Sequence, residues 1–261
     1  MALIEQQIID IENTLKYALR HKFQNYNPEP AAMPFHTRLL GKDRLALFSF
    51  IHSLNTNFGT SIFEPVAITL AKSRFKEAKA QITAGNQISE QAQYEIQKIM
   101  DNLTAADDKP CKKKEIEIIR SVSQKGIMRT VKPTKIDVAL IAHDESLHYF
   151  DIKTAKPNKG SFKEFKRTLL EWVACVLAVN PNANINTYIA IPYNPYAPKP
   201  YSRWTMAGML DLNSELKVAE EFWDFLGGEG TFNDLLDCFE RVGIELRPEI
   251  DAYFEKFQNN K

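Results

Sequence analysis

Asp137, Asp151 and Lys153 are the residues of this 261-residue chain whose types and spacing carry the most specific chemistry. They lie in KPTKIDVALIAHDESLHYFDIKTAKPNKG, residues 132–160, where two apolar stretches flank a turn-like HDE. In a strand, residues two apart share a face, so Asp151 and Lys153 point the same way. If residues 143–145 form a three-residue hairpin loop, Ala142 pairs with Ser146 and Asp137 stands opposite Asp151. Cross-strand neighbours sit about 4.5–5.5 Å apart, and two carboxylates there repel unless a cation lies between them. A hard divalent ion, Mg²⁺ or Mn²⁺, suits such a pair of oxygen ligands. A two-residue loop at 144–145 would turn Asp137 to the other side of the sheet, and the sequence leaves both loops open. Without a cation the two acids would be ordinary residues of a solvated sheet face, although the surrounding IDVAL and YFDIK are apolar, as in buried strands. Lys153 beside a metal site would stabilise an attacking hydroxide and the charge of a developing phosphorane. Its plainer role is a salt bridge to Asp151.

These residues sit in the most basic part of a neutral chain. Lys+Arg and Asp+Glu are 33 each, and zero net charge taken alone argues against a polyanion partner. Residues 109–167, however, hold 15 basic and 7 acidic residues, while residues 205–261 hold 5 basic and 13 acidic. The basic segment can meet phosphate whatever the total, or it can be a solvated lysine face. At 44% hydrophobic and 25% charged, the composition is that of a folded globular protein and excludes disordered and fibrous classes. The first residues lack a basic stretch followed by an apolar run, and no segment is long and apolar enough to span a bilayer. The three cysteines, Cys111, Cys175 and Cys238, fit neither a zinc pattern nor a disulfide framework. A cytoplasmic protein with no membrane contact and no organic cofactor is expected.

The elements that must position the site follow from periodicity. Helices are expected over 3–23, 42–54, 62–82 and 89–103, with Ser61 capping the third and Pro65 in its first turn. Residues 25–34 and 107–114 read as loops. Strands are expected over 115–122, 135–142, 147–154 and 187–192. A helix over 161–178 opens on Ser161, with Glu164 completing a capping box. An aromatic, Pro-rich loop spans 193–204, and helices return over 218–226, 232–242 and 248–257. The expected fold is a single α/β domain: a helical N-terminal layer (1–105), an α/β core (106–204) and an acidic helical C-terminal segment (205–261). In the last of these, Phe222, Trp223, Phe225, Leu226, Leu235, Leu236 and Phe239 would pack on the core or form a dimer interface.

Asp137, thirteen intervening residues and then Asp151-Ile152-Lys153 resembles the PD-(D/E)XK nuclease motif, with Ile136 in place of the proline. The strings MPFHTRLLGKDRLALFSFIHSLNTNFGTSIFEPVA, DIKTAKPNKGSFKEFKRTLLEW and YNPYAPKPYSRW look like type II restriction endonucleases of the TdeIII kind. The resemblance implies a central mixed β-sheet flanked by helices. It also implies Mg²⁺-dependent cleavage of double-stranded DNA by a homodimer at a short palindrome, with GGNCC as the expected site. It gives Asp137, Asp151 and the Ile152 carbonyl as metal ligands, with Mn²⁺ able to replace Mg²⁺. It adds Glu64 as a supporting ligand, although Ser61-x-x-Glu64 is itself a capping box that would use Glu64 locally.

Around this centre, Lys156, Asn158, Lys159, Lys163, Lys166 and Arg167 would clamp the DNA backbone or form a solvated face; Lys163, Lys166 and Arg167 fall at i, i+3, i+4. Asn194, Lys199 and Arg203 in the 193–204 loop could read base edges, as could His36, Arg38, Lys42 and Arg44. His148 faces away from Asp151 and is expected to be structural. A structure-directed nuclease of the same superfamily, or an inactive nucleic-acid-binding accessory protein, are the alternatives.

Overall fold

The computed structural model describes residues 2–25, 33–153, 155–202 and 206–258. Its centre is a five-stranded mixed sheet. In chain order the elements are helices α1 (Glu5–Asn25), α2 (Pro34–Leu40), α3 (Lys42–Phe58) and α4 (Glu64–Ala71), then strands β1 (Glu77–Thr83) and β2 (Gln87–Ser89). Helices α5 (Glu90–Ala105) and α6 (Lys112–Val122) lead to strands β3 (Met128–Thr130), β4 (Lys135–Ile141) and β5 (Leu147–Ile152). Helix α7 (Phe162–Val179), strand β6 (Ile185–Ile191), the turn α8 (Leu212–Glu215), strand β7 (Leu216–Val218) and helices α9 (Glu220–Gly227), α10 (Thr231–Glu245) and α11 (Arg247–Gln258) complete the chain. The sheet order is β1-β4-β5-β6-β7, antiparallel from β1 to β5 and parallel from β5 to β7, while β2 and β3 form a separate two-stranded ribbon. Among the described residues, no helix is long and apolar enough to cross a membrane.

The register of the β4–β5 hairpin is the detail on which the site depends. Val138 pairs with Phe150 and Ile141 with Leu147, so the three-residue loop is the one that forms. Local chemistry explains why. The Asp144 carboxylate accepts hydrogen bonds from the Ser146 amide (3.0 Å) and hydroxyl (2.6 Å), and Glu145 takes a left-handed φ of 64°. A turn followed by a left-handed residue closes three-residue hairpins.

Two apolar layers cover the sheet. On one face α5, α6 and α7 bury Ile96, Ile119, Leu169, Trp172 and Val173 against Tyr149, Ile185 and Ile189. On the other, α1, α4, α9 and α10 bury Ile11, Val66, Leu70, Phe222 and Trp223 against Val138, Leu140, Phe150 and Ala190. The C-terminal anchors Phe222, Trp223, Leu226 and Leu235 are thus spent on the core, while Leu236 stays half exposed.

Two expected elements are corrected. The helix expected over 62–82 ends at Ala71, and residues 77–83 form β1, an edge strand of the main sheet. Its sequence, EAKAQIT, is rich in good helix formers, and pairing with β4 overrides that preference. The N-terminal segment is therefore not wholly helical. Residues expected as a strand over 115–122 lie in helix α6, because Lys112, Glu115 and Ile119 fall on one buried helical face. The caps differ too. Ser61 lies inside a π-helical turn, Gly59–Phe63, between α3 and α4, and caps nothing; Ser161 also makes no side-chain cap.

The interior holds a charged cluster. Lys166 Nζ bonds Glu115 Oε2 (2.5 Å) and Glu215 Oε2 (2.7 Å), and Lys112 Nζ reaches Glu215 Oε1 (3.2 Å) and Thr187. Burial pushes the Glu115 carboxyl up and the Lys112 ammonium down. The two ammoniums and two carboxylates join α6, α7, β6 and α8. Removing one charge leaves the others uncompensated in a low-dielectric interior. Lys166→Ala should cost about 3–5 kcal/mol of stability in urea unfolding; a loss below about 1 kcal/mol would show that the cluster is hydrated and not a buried network.

Candidate active site

The hairpin brings Asp137 and Asp151 to facing positions one residue beyond the last β4–β5 pair, Val138–Phe150, on the α7 side of the sheet. Asp137 Oδ2 accepts the Ile152 amide hydrogen bond at 2.8 Å. Asp151 is buried, and its Oδ1 lies 2.6 Å from Lys153 Nζ. The same ammonium sits 4.9 Å from the centre of the Phe165 ring on α7, within cation–π range.

Glu64 arrives from the opposite layer. It is the first residue of α4 and is 3% exposed. Its carboxylate does not fold back on Ser61, so the capping box does not form; Glu64 Oε2 instead accepts from Gln81 Nε2 at 2.8 Å. The same Gln81 nitrogen donates to Asp137 Oδ1 at 3.1 Å. Gln81 sits across from Asp137 on β1, between the pairs Ala80–Val138 and Ile82–Ile136, with a φ of 56°. A left-handed backbone at a residue with a side chain costs about 1–3 kcal/mol and concentrates at functional sites. Sequence reasoning missed Gln81, because a glutamine in a helix-like string gives no sign of a strained strand position.

The cluster is electrostatically unsatisfied. Burial, with further contributions from Asp137 and Asp151, pushes the Glu64 carboxyl up to about 7 against the pull of Gln81. Burial likewise raises Asp151 to about 7, with Asp137 adding to the rise and Lys153 opposing it. Beside these groups a cleft of about 300 Å³ opens, lined by Glu64, Asp137, Ile152 and Lys153 together with Phe58, Phe63, Pro192 and Tyr193.

Oxygen donors without histidine or cysteine suit a hard divalent ion. Among the described residues no three His, Cys, Asp or Glu side chains form a ready-made cage. Mg²⁺ does not need one: it commonly binds through one or two carboxylates, waters and substrate phosphates. The donor chemistry therefore fits such an ion.

The other expected contact residues separate into groups. Lys166 is fully buried in the interior cluster, so its assignment to the DNA backbone is corrected. Lys163 is exposed, and Arg167 is half-buried and donates to Gln97 Oε1 at 2.6 Å. Lys156 and Asn158 are exposed, with Lys156 Nζ 5.3 Å from the Tyr196 ring centre. Asn194 is engaged in its own loop: Oδ1 accepts from the Tyr196 amide and Nδ2 donates to the Lys199 carbonyl. Lys199 is exposed, and the Tyr201 hydroxyl ties this loop to the Ala155 carbonyl at 3.0 Å. His36, Arg38, Lys42 and Arg44 are exposed on α2 and α3. The Lys159 side chain and Arg203 lie outside the described residues. His148 is structural as expected, held between Ser146 and Tyr188.

The raised carboxyls have a measurable consequence. Folded, Glu64 and Asp151 keep their protons up to about pH 7; unfolded, they lose them near about pH 4. The folded state binds the extra protons between these limits, so their contribution to stability is lost as pH rises through 7. The melting temperature of the metal-free protein should rise as pH falls from about 8 to about 6, and Glu64→Gln with Asp151→Asn should flatten that slope. An unchanged slope in the double variant would show that these groups do not titrate there.

Residues 3–243 match the family model described as "Type II restriction endonuclease, HinfI". The chain is similar to the type II restriction enzyme HgiCII of Herpetosiphon aurantiacus, 26% identical over 223 residues covering 83% of this chain and 80% of that one. HgiBI of the same organism is 25% identical over 244 residues, covering 88% and 86%. The type II restriction enzyme MjaII of Methanocaldococcus jannaschii is 26% identical over 226 residues, covering 81% of this chain and 58% of that one. The restriction-enzyme resemblance seen in the sequence is borne out, under the HinfI description; such enzymes act on DNA and generally need a divalent metal. The chain belongs to the HinfI family of type II restriction endonucleases.

Proposed function

We propose that Asp137, Asp151 and Lys153, with Glu64 in support, form the catalytic centre of a Mg²⁺-dependent, sequence-specific endonuclease. The observation that carries this reading is the facing carboxylate pair with an ammonium 2.6 Å from Asp151, beside an open cleft. Asp137, Asp151 and the Ile152 carbonyl would hold the ion, and Mn²⁺ could take its place. When bound, it supplies positive charge to the scissile phosphate and activates water for attack. Lys153 orients the attacking water and stabilises charge on the phosphorus centre. Water adds to phosphorus in line, the bond to the 3′ oxygen breaks, and a 3′-hydroxyl and a 5′-phosphate result.

Lys156, Asn158, Lys159, Lys163 and Arg167 flank this centre in sequence and would contact DNA phosphates, giving affinity and salt dependence without base choice. Base reading falls to the 193–204 loop through Lys199 and Arg203, and to the α2–α3 surface through Arg38, Lys42 and Arg44. Asn194 contributes by shaping its loop. A palindromic site, GGNCC being the one expected from the sequence, calls for a homodimer with one centre for each strand. The cytoplasm, where the DNA is, is the expected location.

Plasmid digestion with Mg²⁺ should give discrete bands that map to one short palindrome. Asp151→Ala and Lys153→Ala should each lower the cleavage rate about 1,000-fold or more while gel-shift binding of the same DNA persists. A smear in place of bands would indicate cleavage without a recognition site. Wild-type-like cutting by either variant would remove these residues from the mechanism.

A further inference from the structure

We propose that Gln81 is a positioning residue for the metal site, holding Glu64 and Asp137 in the geometry that accepts a divalent ion. The inference rests on the metal-site reading above. Gln81 Nε2 is a neutral double donor, and it spends its two hydrogens on carboxylates from two different layers: Glu64 Oε2 at 2.8 Å and Asp137 Oδ1 at 3.1 Å. Asp137 Oδ2 is fixed in turn by the Ile152 amide at 2.8 Å. Asp137 is thus oriented by two donors, and Glu64 is tied to it across the end of the sheet.

The backbone of Gln81 points to the same role. Every neighbour on β1 from Glu77 to Thr83 pairs with β4, and pairing lapses only at Gln81, opposite Asp137. There the chain takes φ 56°, a conformation that side chains disfavour. Among the described residues four non-glycine residues have positive φ, and of these Gln81 is the one in a strand of the main sheet. A glycine would fit that backbone more easily, so the side chain at this position has to contribute something a glycine lacks. What it contributes is the bridging amide. Carboxylates that ligate metals are commonly hydrogen-bonded by a second layer of groups, and loss of such a group typically weakens metal affinity or activity about 10- to 100-fold.

The test separates the amide from the fold. Gln81→Met keeps the bulk and the backbone demand while deleting both donors. Gln81→Gly deletes the donors and relieves the backbone. Binding of Mn²⁺ to the free protein, measured by titration calorimetry, should weaken about 10- to 100-fold in both variants, with the melting temperature of the glycine variant held close to wild type. The Mg²⁺ concentration giving half-maximal cleavage should rise in parallel. Mn²⁺ affinity within about threefold of wild type in folded Gln81→Met and Gln81→Gly would overturn the role of Gln81 and leave the metal site standing. Loss of folding in both variants would mark Gln81 as purely structural and would equally overturn it. Failure of the wild-type protein to bind Mn²⁺ would remove the metal-site reading and this inference with it.

Discussion

The carboxylates of Glu64, Asp137 and Asp151 repel one another at the end of the β4–β5 pair, where little water screens them. Much of the surrounding structure can be understood from that repulsion. Lys153 sits against Asp151, the Ile152 amide against Asp137, and the Gln81 amide between Asp137 and Glu64. Each of these depends on register. A hairpin loop one residue shorter would turn Asp137 to the opposite face, and both its contact with Ile152 and its proximity to Asp151 would go. The small turn at Asp144 and Ser146 thus fixes the geometry at the other end of two strands.

The two layers that cover the sheet then supply what the strands cannot. Helix α7 brings Phe165 against the Lys153 ammonium, and the next residue, Lys166, is locked to Glu115 and Glu215. The interior ion cluster anchors the helix beside the site, and so restrains the aromatic wall over Lys153. On the other side, the π-helical turn Gly59–Phe63 carries the chain from α3 into α4, so that Glu64 reaches the sheet end while Val66 and Leu70 fill the core. The acidic C-terminal segment docks on that same layer through Phe222, Trp223, Leu226 and Leu235.

What could be read from the sequence followed from how local the determinants were. Strands β4 and β5 and helix α7 have strong short-range patterns and appear within a residue or two of the expected bounds, but which loop joins the two strands, and so whether the aspartates face each other, was open in the sequence. β1 was hidden because Glu77, Ala78, Lys79 and Ala80 favour helix, and only the long-range pairing with β4 makes them a strand. α6 was hidden for the converse reason, since Ile116, Ile118 and Ile119 are β-branched residues that tertiary packing holds in a helix. Losing β1 meant losing Gln81, and with it the link between Glu64 and Asp137. Helical spacing put Lys166 with Lys163 and Arg167, but spacing says nothing about two glutamates that approach from 49 and 51 residues away.

Two charged clusters among the described residues both set carboxyl groups against lysines and differ in their arithmetic. The interior cluster sets two ammoniums, Lys112 and Lys166, against two carboxylates, Glu115 and Glu215, each in contact with an opposite charge. It is closed, neutral and far from needing anything else. At the end of β4 and β5, three carboxyl groups share one contacting ammonium and a neutral amide, and with no second cation to balance them Glu64 and Asp151 are pushed up to about 7. Such a deficit is costly to maintain in a folded protein and would not persist as a packing device, because apolar residues of similar volume would serve better. Its presence beside an open cleft, in a strained stretch of β1, is intelligible if the missing positive charge is that of the divalent ion proposed above.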